Sequence, residues 1–346
     1  MTCLRRGSTS VENKIPASTN SMKTYRANVS ALFANNSYVY SLLNMSAGII
    51  ASGSDNCIRG FDRNSLQCLW QVRNAHHESI TAIKAVDQFI VLSCGKDSTV
   101  KFWDTRTDGK SAVREFFADS TPFLCADYDE ATGRVAVGTE LVKSNAAVLI
   151  WDARTSLPLV SYAESHNDDI TDIHFSRFNS SHLITGSCDG LVNIFDTQVI
   201  DEDDAVCQVA NHSASIHCAD FLSGEYIFAL SHMETMTIFP LTTSESDDRP
   251  AIELGDLRVG LECDYVIDVL RLRSGIPVIA KAINGGDAEV AIMSDTMMAF
   301  DEKKRRKLIG GHGEHVIRAL LIFEENKVYY TGGEDGMIKL WSRCSN

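Results

Sequence analysis

Long apolar runs are missing from this sequence. No stretch approaches the roughly 20 consecutive apolar residues that a helix needs to cross a bilayer. Residues 1–23 are polar and rich in serine and threonine, and they lack the apolar core of a secretory signal. We therefore expect a protein that does not enter a membrane, with a disordered tail over residues 1–23.

Basic residues and metal-binding motifs are also scarce. The chain has 32 Lys and Arg against 46 Asp and Glu, so its net charge is −14. This negative field repels phosphate and disfavours nucleic acid and anionic membranes as partners. None of the ten cysteines belongs to a Cys-x-x-Cys pair, so neither a metal nor a cofactor is expected. Cysteines in apolar runs, such as Cys94 and Cys125, predict buried thiols in a reducing compartment, the cytoplasm or the nucleus.

What the sequence does contain is a repeat, which is clearest near its C-terminus. A Gly311-His312 pair is followed by an apolar run, by Thr331 beside two glycines, and by Asp335 shortly before Trp341. Similar units recur upstream at intervals of roughly 42 to 54 residues, which is close to the period of a propeller blade. Val, Ile, Phe and Tyr are enriched between Gly, Asp, Ser and Asn, and no long helical period is present. Each unit therefore predicts four short antiparallel strands, ordered from an axis outward.

The count of these units predicts how the ring closes. We find seven units between Tyr38 and the C-terminus, of which the fifth and sixth are weak. The last unit has only three strands, and a spare strand at residues 24–33 precedes the first unit. The sequence thus predicts an all-β fold, a seven-bladed β-propeller forming one domain over residues 24–346. The N-terminal strand would complete the last blade and remove exposed sheet edges.

A set of His, hydroxyl, Asp and Trp residues recurs in these units. Their donors and acceptors are compatible, because the indole can donate to the hydroxyl, the hydroxyl to the imidazole and the imidazole to the carboxylate. The sets are His76, Ser93, Asp97 and Trp103 in unit two, His166, Thr185 and Asp189 in unit four, and His312, Thr331, Asp335 and Trp341 in unit seven. A catalytic Ser-His-Asp triad would use the same residue types. Repetition at one spacing, without a Gly-x-Ser-x-Gly elbow, favours a structural role.

These residues resemble the WD-repeat superfamily from residue 24 to the C-terminus. The motifs that carry the resemblance are the pairs Trp103-Asp104, Trp151-Asp152, Phe195-Asp196 and Gly311-His312. Residues 165–171, 185–196, 201–204 and 331–335 are similar to one subgroup, that of WD repeat-containing protein 89. The resemblance implies a non-enzymatic propeller that acts as a platform for protein interactions.

Two consecutive units carry a further motif. Trp103-Asp104-Thr105-Arg106 and Trp151-Asp152-Ala153-Arg154 resemble the double motif of propellers that are substrate receptors of cullin-four ubiquitin ligases. Arg106 and Arg154 would then lie on the bottom rim and make bidentate contacts with an adaptor. In the alternative interpretation, each arginine is solvated and pairs with its neighbouring aspartate.

Two other stretches are candidates for function. The basic run is Lys303, Lys304, Arg305, Arg306 and Lys307. It predicts a nuclear import signal in preference to an RNA contact, or otherwise a solvated hairpin in the outer part of unit six. On the top face, His166, Asp168, Asp169 and the insertion at residues 141–146 are candidate partner contacts.

The preferred function is a non-enzymatic scaffold that binds proteins within a larger complex as a monomeric propeller. The alternatives are a ligase substrate receptor and, from another class, a propeller enzyme. An enzyme would need titratable side chains that converge at the mouth of the axis. Apart from the repeated sets, the sequence reveals no such group.

Overall fold

Short strands separated by turns make up almost all of the described chain. The computed structural model describes residues 23–118, 121–155, 158–242, 249–272, 274–283, 286–294 and 300–343. Residues 1–22, nearly all of the expected tail, lie outside this part. The eight cysteines within it are all free thiols.

The strand bounds define the blades. Strand β1 spans Lys23–Leu32. Blades one to three comprise β2 (Val39–Met45), β3 (Gly48–Gly53), β4 (Ile58–Phe61), β5 (Cys68–Val72), β6 (Ile80–Ala85), β7 (Ile90–Gly95), β8 (Thr99–Asp104), β9 (Arg114–Phe117), β10 (Phe123–Asp129), β11 (Arg134–Thr139), β12 (Val148–Asp152) and β13 (Pro158–Tyr162). Blades four and five comprise β14 (Ile170–Phe175), β15 (His182–Ser187), β16 (Leu191–Asp196), β17 (Val206–Asn211), β18 (Ile216–Phe221), β19 (Tyr226–Ser231), β20 (Thr235–Pro240) and β21 (Ile252–Asp256). Blades six and seven contain β22 (Tyr265–Arg271), β23 (Pro277–Ile283), β24 (Asp287–Met293), β25 (Phe300–Ile309), β26 (Ile317–Phe323), β27 (Val328–Gly333) and β28 (Met337–Arg343).

Two short helices interrupt the strands. Helix α1 (Glu202–Ala205) precedes β17, and α2 (Leu257–Leu261) follows β21. Asp201 and Asp256 cap their N-termini by accepting hydrogen bonds from backbone N–H groups. The acidic run at residues 201–204 is therefore the start of a helix.

Each of the first five blades is a four-stranded antiparallel sheet whose strands follow chain order. The first strands lie side by side in six of the seven neighbouring pairs of blades, including β26 of blade seven and β2 of blade one. They are therefore the inner strands that surround the axis of the ring. A seven-bladed β-propeller, predicted from the repeats, is confirmed.

The N-terminal strand closes the ring as predicted. Strand β1 pairs antiparallel with β28, from Tyr25 opposite Arg343 to Leu32 opposite Met337, and so supplies the fourth strand of blade seven. It also pairs in parallel with β25, with Lys23 opposite Arg306. The sequence did not predict this second pairing, which joins blades six and seven into one eight-stranded sheet.

The core lies mainly between the faces of adjacent blades. The cluster between blades six and seven includes Tyr25, Val290, Leu308, Tyr329 and Trp341, all fully buried. Alternation along β1 points Tyr25 into this cluster and leaves Arg26 exposed. Closure of the ring therefore buries apolar surface as well as backbone hydrogen bonds.

Candidate functional site

The recurring polar set of blade two forms a chain of hydrogen bonds. Trp103 Nε1–H donates to Ser93 Oγ at 2.8 Å, and Ser93 Oγ lies 2.7 Å from His76 Nε2. His76 Nδ1 lies 2.8 Å from Asp97 Oδ1. His76 and Ser93 are only 1% and 0% exposed. The imidazole therefore bridges the hydroxyl and the carboxylate inside the blade, and the hydroxyl is not reachable from solvent.

Blade seven repeats this geometry with the same distances to within about 0.1 Å. His312 Nε2 lies 2.7 Å from Thr331 Oγ1, and His312 Nδ1 lies 2.7 Å from Asp335 Oδ1. Trp341 Nε1–H donates to Thr331 Oγ1 at 2.9 Å. Two blades far apart in the chain thus hold an identical hydrogen-bond network, which indicates that the network belongs to the repeat.

Blade four keeps part of the network. His166 Nε2 lies 2.7 Å from Thr185 Oγ1, and His166 Nδ1 lies 3.1 Å from Asp189 Oδ2. Phe195 cannot donate, but it stacks on Tyr162 with ring centroids 4.9 Å apart. An apolar contact thus stands where blades two and seven have an indole hydrogen bond.

A glycine makes room for the histidine in the complete networks. A Cβ atom on Gly95 would lie 2.7 Å from His76 Nδ1, and one on Gly333 would lie 2.6 Å from His312 Nδ1. Such distances are shorter than van der Waals contact, so a larger residue would displace the imidazole. The glycine two residues after the strand hydroxyl is therefore part of the motif.

Blade six replaces the network with a buried ion pair. In β23, Lys281 occupies the position that Gly95 has in β7. The residue opposite Lys281 is Val266, and the equivalent residue opposite Gly95 is Ile80. Lys281 Nζ lies 3.2 Å from Glu289 Oε1, and the two side chains are 1% and 5% exposed. Lys281 also donates to the Leu261 carbonyl. The sequence analysis missed this pair, although two charged residues within apolar strands were a usable signal.

The inner strands bring a group of charged side chains together around the axis. Lys84 Nζ lies 3.4 Å from Asp127 Oδ1, and His174 Nε2 lies 3.0 Å from Asp172 Oδ1. The Asp127 carboxylate accepts from the Phe175 N–H at 2.8 Å, which connects blades three and four. No converging titratable group at the axis was predicted from the sequence, and this axial cluster corrects that expectation. Lys84, Asp127 and the Asp172–His174 pair lie in three successive blades, so their proximity depends on how the inner strands line up.

The charges of the axial cluster control its pKa values. Burial disfavours the charged ring of His174, but the Asp172 and Asp220 carboxylates together outweigh burial and raise the pKa of His174 to about 9. Burial also opposes ionisation of Asp172, but His174, Lys84 and the Ala219 N–H together lower the pKa of Asp172. Burial, with Asp172 nearby, raises the pKa of Asp268 to about 6. The pKa values in the cluster are thus set by burial and by the charges of the cluster's own residues.

The two Trp-Asp-x-Arg arginines fold back on their own aspartates. Arg106 Nη2 lies 2.7 Å from Asp104 Oδ2, and Arg154 Nη2 lies 2.6 Å from Asp152 Oδ2. The arginine side chains are 60% and 78% exposed. Hydrogen bonds from the arginines lower the pKa values of both aspartates to about 2. Each arginine therefore pairs with its own neighbouring aspartate, as in the alternative interpretation of the motif.

The same pairing occurs without a tryptophan. Arg258 Nη2 lies 2.8 Å from Asp256 Oδ2, and the Arg258 N–H donates to Asp256 Oδ1 at 2.9 Å. An Asp-x-Arg turn therefore suffices to form the ion pair. The paired geometry at Arg106 and Arg154 does not by itself indicate a binding function.

The basic run belongs to a hairpin in the outer part of blade six, because β24 and β25 follow each other in the chain and pair antiparallel. It lies in β25, where Val290 of β24 is opposite Arg306 but Ile292 is opposite Asp301. Residues 302–305 therefore form a bulge, after which the strand is paired on both sides, with β24 and β1. Arg306 Nη1–H donates to the Tyr329 hydroxyl at 2.8 Å. The Lys303 side chain lies outside the described part.

The top-face candidates differ in accessibility. His166 is 3% exposed and both ring nitrogens are engaged, so a partner cannot contact it without opening the blade. Asp169 Oδ1 accepts from the Leu141 N–H at 2.7 Å and thereby holds the insertion of blade three. Asp168 is half-buried, and its Oδ1 accepts from the Asp169 N–H at 2.8 Å. Asp168 and Asp169 are both partly exposed, whereas His166 is buried.

The described residues contain neither a membrane-spanning helix nor a metal-binding cluster. Among them, no helix has the length and apolar composition needed to cross a membrane. Within the same ranges, no group of three or more His, Cys, Asp and Glu side chains is arranged to hold a metal ion.

Comparison with known proteins identifies the family. The profile described as "WD domain, G-beta repeat" matches residues 67–104, 158–196 and 303–342. An uncharacterized WD repeat-containing protein of Schizosaccharomyces pombe is 33% identical over 314 residues, covering 87% of this chain and 94% of that protein. The WD repeat-containing protein 89 homolog of Dictyostelium discoideum is 28% identical over 198 residues, covering 56% of this chain and 52% of that protein. Human nucleoporin Nup43 is 26% identical over 145 residues, covering 41% of this chain and 37% of that protein. This chain belongs to the WD repeat-containing protein family.

Proposed function

We propose that this protein is a non-enzymatic scaffold, a monomeric propeller over residues 24–346 that binds other proteins within a larger complex. The observation that carries the proposal is the burial of the His-hydroxyl-Asp sets. In blade two, Ser93 is fully buried and its oxygen already accepts the Trp103 indole N–H. A substrate cannot reach such a hydroxyl, so the residues that most resemble a catalytic triad serve the blade. The WD repeat family membership supports the same role.

The outer surface offers places for such contacts. An open groove between the outer strands of blades two and three is lined by Arg114, Phe116, Arg154 and Leu159. Leu159, in β13, is 47% exposed. Exposed apolar side chains beside arginines are typical of protein interfaces. We include this groove and the top-face Asp168 among the proposed contact surfaces.

A second candidate is a substrate receptor of a cullin-four ubiquitin ligase. The observation that favours it is the matched presentation of Arg106 and Arg154, which follow equivalent strands of adjacent blades with exposed guanidinium groups. An adaptor carboxylate would compete with Asp104 and Asp152 for these groups.

The receptor proposal is tested by co-purification with the ligase adaptor. We expect the variant Arg106→Ala plus Arg154→Ala to lose the adaptor. Arg258→Ala is the matched control, because Arg258 makes the same Asp-x-Arg ion pair on another blade. Retention of the adaptor by the double variant, or equal loss in the control, contradicts the proposal.

We also propose that the protein works in the nucleus, with a cytoplasmic pool. The similarity to a nucleoporin supports a nuclear role, and Lys303 to Lys307 is the candidate import signal. Replacing Lys303 and Lys304 by alanine in a fluorescent fusion tests it. The proposal expects nuclear signal to fall in this variant and not in a Lys110→Ala control. Equal nuclear signal in both variants rules out the run as the import signal.

A further inference from the structure

The strands that close the ring are rich in basic residues, although the chain as a whole is acidic. Strands β25, β1 and β28 are neighbours in the eight-stranded sheet. They contain five, two and two Lys or Arg residues respectively, whereas β25 contributes their only two acidic residues, Asp301 and Glu302. The whole chain has 32 basic and 46 acidic residues. We call this three-strand surface the basic seam.

Strand register brings cations from distant parts of the chain together. Lys23 lies opposite Arg306, and Tyr25 lies opposite Arg343. Residues in register share one side of a sheet, and Lys23 and Tyr25 alternate onto that same side. Lys23, Arg306 and Arg343 therefore occupy one side of the seam near its start. Arg26, directly opposite Ile309, lies on the other side.

Several of these cations remain accessible. Lys23, Arg26 and Arg343 are exposed, and the Lys304 side chain is 60% exposed despite its ion pair with Asp301 at 3.3 Å. By contrast, Lys307 lies 3.7 Å from Asp287 and is three-quarters buried. Exposed cations gathered on neighbouring strands create a positive potential that an isolated surface lysine does not.

From this arrangement we propose that the basic seam binds an acidic, extended segment of a partner protein. Lys23 and Arg26 lie at the start of β1 and Arg343 at the end of the antiparallel β28, so they share one end of the seam but not one side. A segment that crosses this end could pair its carboxylates with Lys23, Arg26, Lys304 and Arg343. An acidic polypeptide fits better than single-stranded nucleic acid. The seam's aromatic residues, Tyr25 and Trp341, are fully buried and offer no stacking surface, and the net charge of −14 opposes a long polyanion.

This inference rests on the proposed scaffold role and names one of its surfaces and the chemistry of its partner. It also gives the basic run a second interpretation, as part of a docking surface. Arg306 and Lys307 are held in a strand that is paired on both sides. The strand therefore has a fixed position on the folded ring, which suits a docking surface to which it contributes the exposed Lys304.

The test uses the full chain and a fluorescein-labelled decapeptide of alternating Asp and Glu, measured by fluorescence anisotropy at low salt. The seam variant is Lys23→Glu, Arg26→Glu, Lys304→Glu and Arg343→Glu. The matched control, Arg73→Glu, Lys110→Glu, Lys143→Glu and Arg177→Glu, makes the same change in net charge at exposed sites outside the three strands. We expect the seam variant to bind at least about tenfold more weakly, the control to bind within about twofold of the unmodified chain, and binding to weaken with salt.

A two-residue variant, Arg26→Glu plus Lys304→Glu, changes the closing strands at fewer positions and so guards against loss of folding. It should melt like the unmodified chain and still lose affinity. The inference is overturned if the unmodified chain does not bind the peptide. It is also overturned if seam and control variants bind alike, or if a single-stranded RNA homopolymer binds more tightly than the peptide. If the seam variant keeps every protein that the unmodified chain captures from cells, the seam inference fails but the scaffold role stands.

Discussion

Tyr25 packs edge-on against Tyr329, with ring centroids 4.8 Å apart and an interplanar angle of 72°. Tyr25 belongs to the first strand of the chain and Tyr329 to a central strand of the last blade. Arg306 of blade six donates to the Tyr329 hydroxyl, and burial raises the pKa of that hydroxyl. The first strand of the chain thus meets blades six and seven at the contact that closes the ring.

Removing this contact should weaken the whole domain. We expect Tyr25→Ala to reduce the free energy of unfolding by about 3–5 kcal/mol, because a fully buried aromatic ring leaves a cavity. Urea unfolding measures the change. Arg26→Ala is the control. The Arg26 side chain is next to Tyr25 in the strand but exposed, so its removal should change the free energy of unfolding by less than about 0.5 kcal/mol. Equal midpoints for the two variants would contradict a closing role for β1.

The hydrogen-bond network should contribute to stability through its central hydroxyl. Thr331→Val keeps the shape of the side chain but leaves His312 Nε2 and Trp341 Nε1 without a partner. We expect a loss of about 1–3 kcal/mol, the cost of unsatisfied buried polar groups. Thr107→Val, at an exposed turn, should be nearly neutral by the same thermal or urea measurement. A Thr331→Val chain as stable as the Thr107→Val chain would show that the network is dispensable.

The buried Lys281–Glu289 pair predicts a strong coupling. Lys281→Met should destabilise less than Glu289→Leu, because Glu289 keeps Arg305 at 3.6 Å, whereas Lys281 loses the carboxylate it pairs with. We expect up to about 3–5 kcal/mol for Glu289→Leu. The double variant should be close to the unmodified chain, since two apolar residues can fill the same space. A double-mutant cycle in urea measures the coupling. Simple additivity of the two losses would mean that the charges do not interact.

The axial cluster predicts that stability falls with rising pH. The pKa of His174 is about 9 in the folded chain and 6.5 for an unperturbed ring. Its stabilisation is therefore complete below pH 6.5 and is lost as the pH rises through 9. The groups that face it are Lys84, Asp127, Asp172 and Asp220. Urea unfolding at pH 6.5 and pH 9 should show a loss of up to about 3 kcal/mol.

His174→Gln provides the comparison for this pH effect. The glutamine keeps a hydrogen-bond donor near Asp172 but cannot titrate. Its stability should change less between pH 6.5 and pH 9 than that of the unmodified chain. Parallel pH profiles for the two chains would assign the effect to other groups.

The fold was predictable because its signals repeat. Turn aspartates, strand hydroxyls and Trp or Phe residues recur in several units, and the missing fourth strand of unit seven matched the extra strand at the N-terminus. The parallel pairing of β1 with β25 was not predictable, because it depends on the bulge at residues 302–305. That bulge lies in the unit with the weakest repeat pattern.

The candidate sites were harder to predict than the fold. Lys84 and His174 are far apart in the chain and come within 3.5 Å because inner strands of successive blades line one axis. Their register includes a shift after the first residue of each strand, as between Ile80 and Ala82. Lys281 replaces a glycine of the repeat, so the repeat pattern does not reveal it. Such contacts are set by three-dimensional register and not by local sequence.

The proposed scaffold role is tested most directly by quantitative affinity purification of the full chain from cells. The baits are the unmodified chain, the Arg106 and Arg154 double variant, Asp168→Ala and the Arg26 and Lys304 double variant, all checked for unchanged melting. The account predicts that a small set of proteins co-purifies in near-equimolar amounts and that at least one of them is lost from a surface variant. A chain that captures no protein at a comparable molar ratio, or four baits with identical captured proteins, would contradict it.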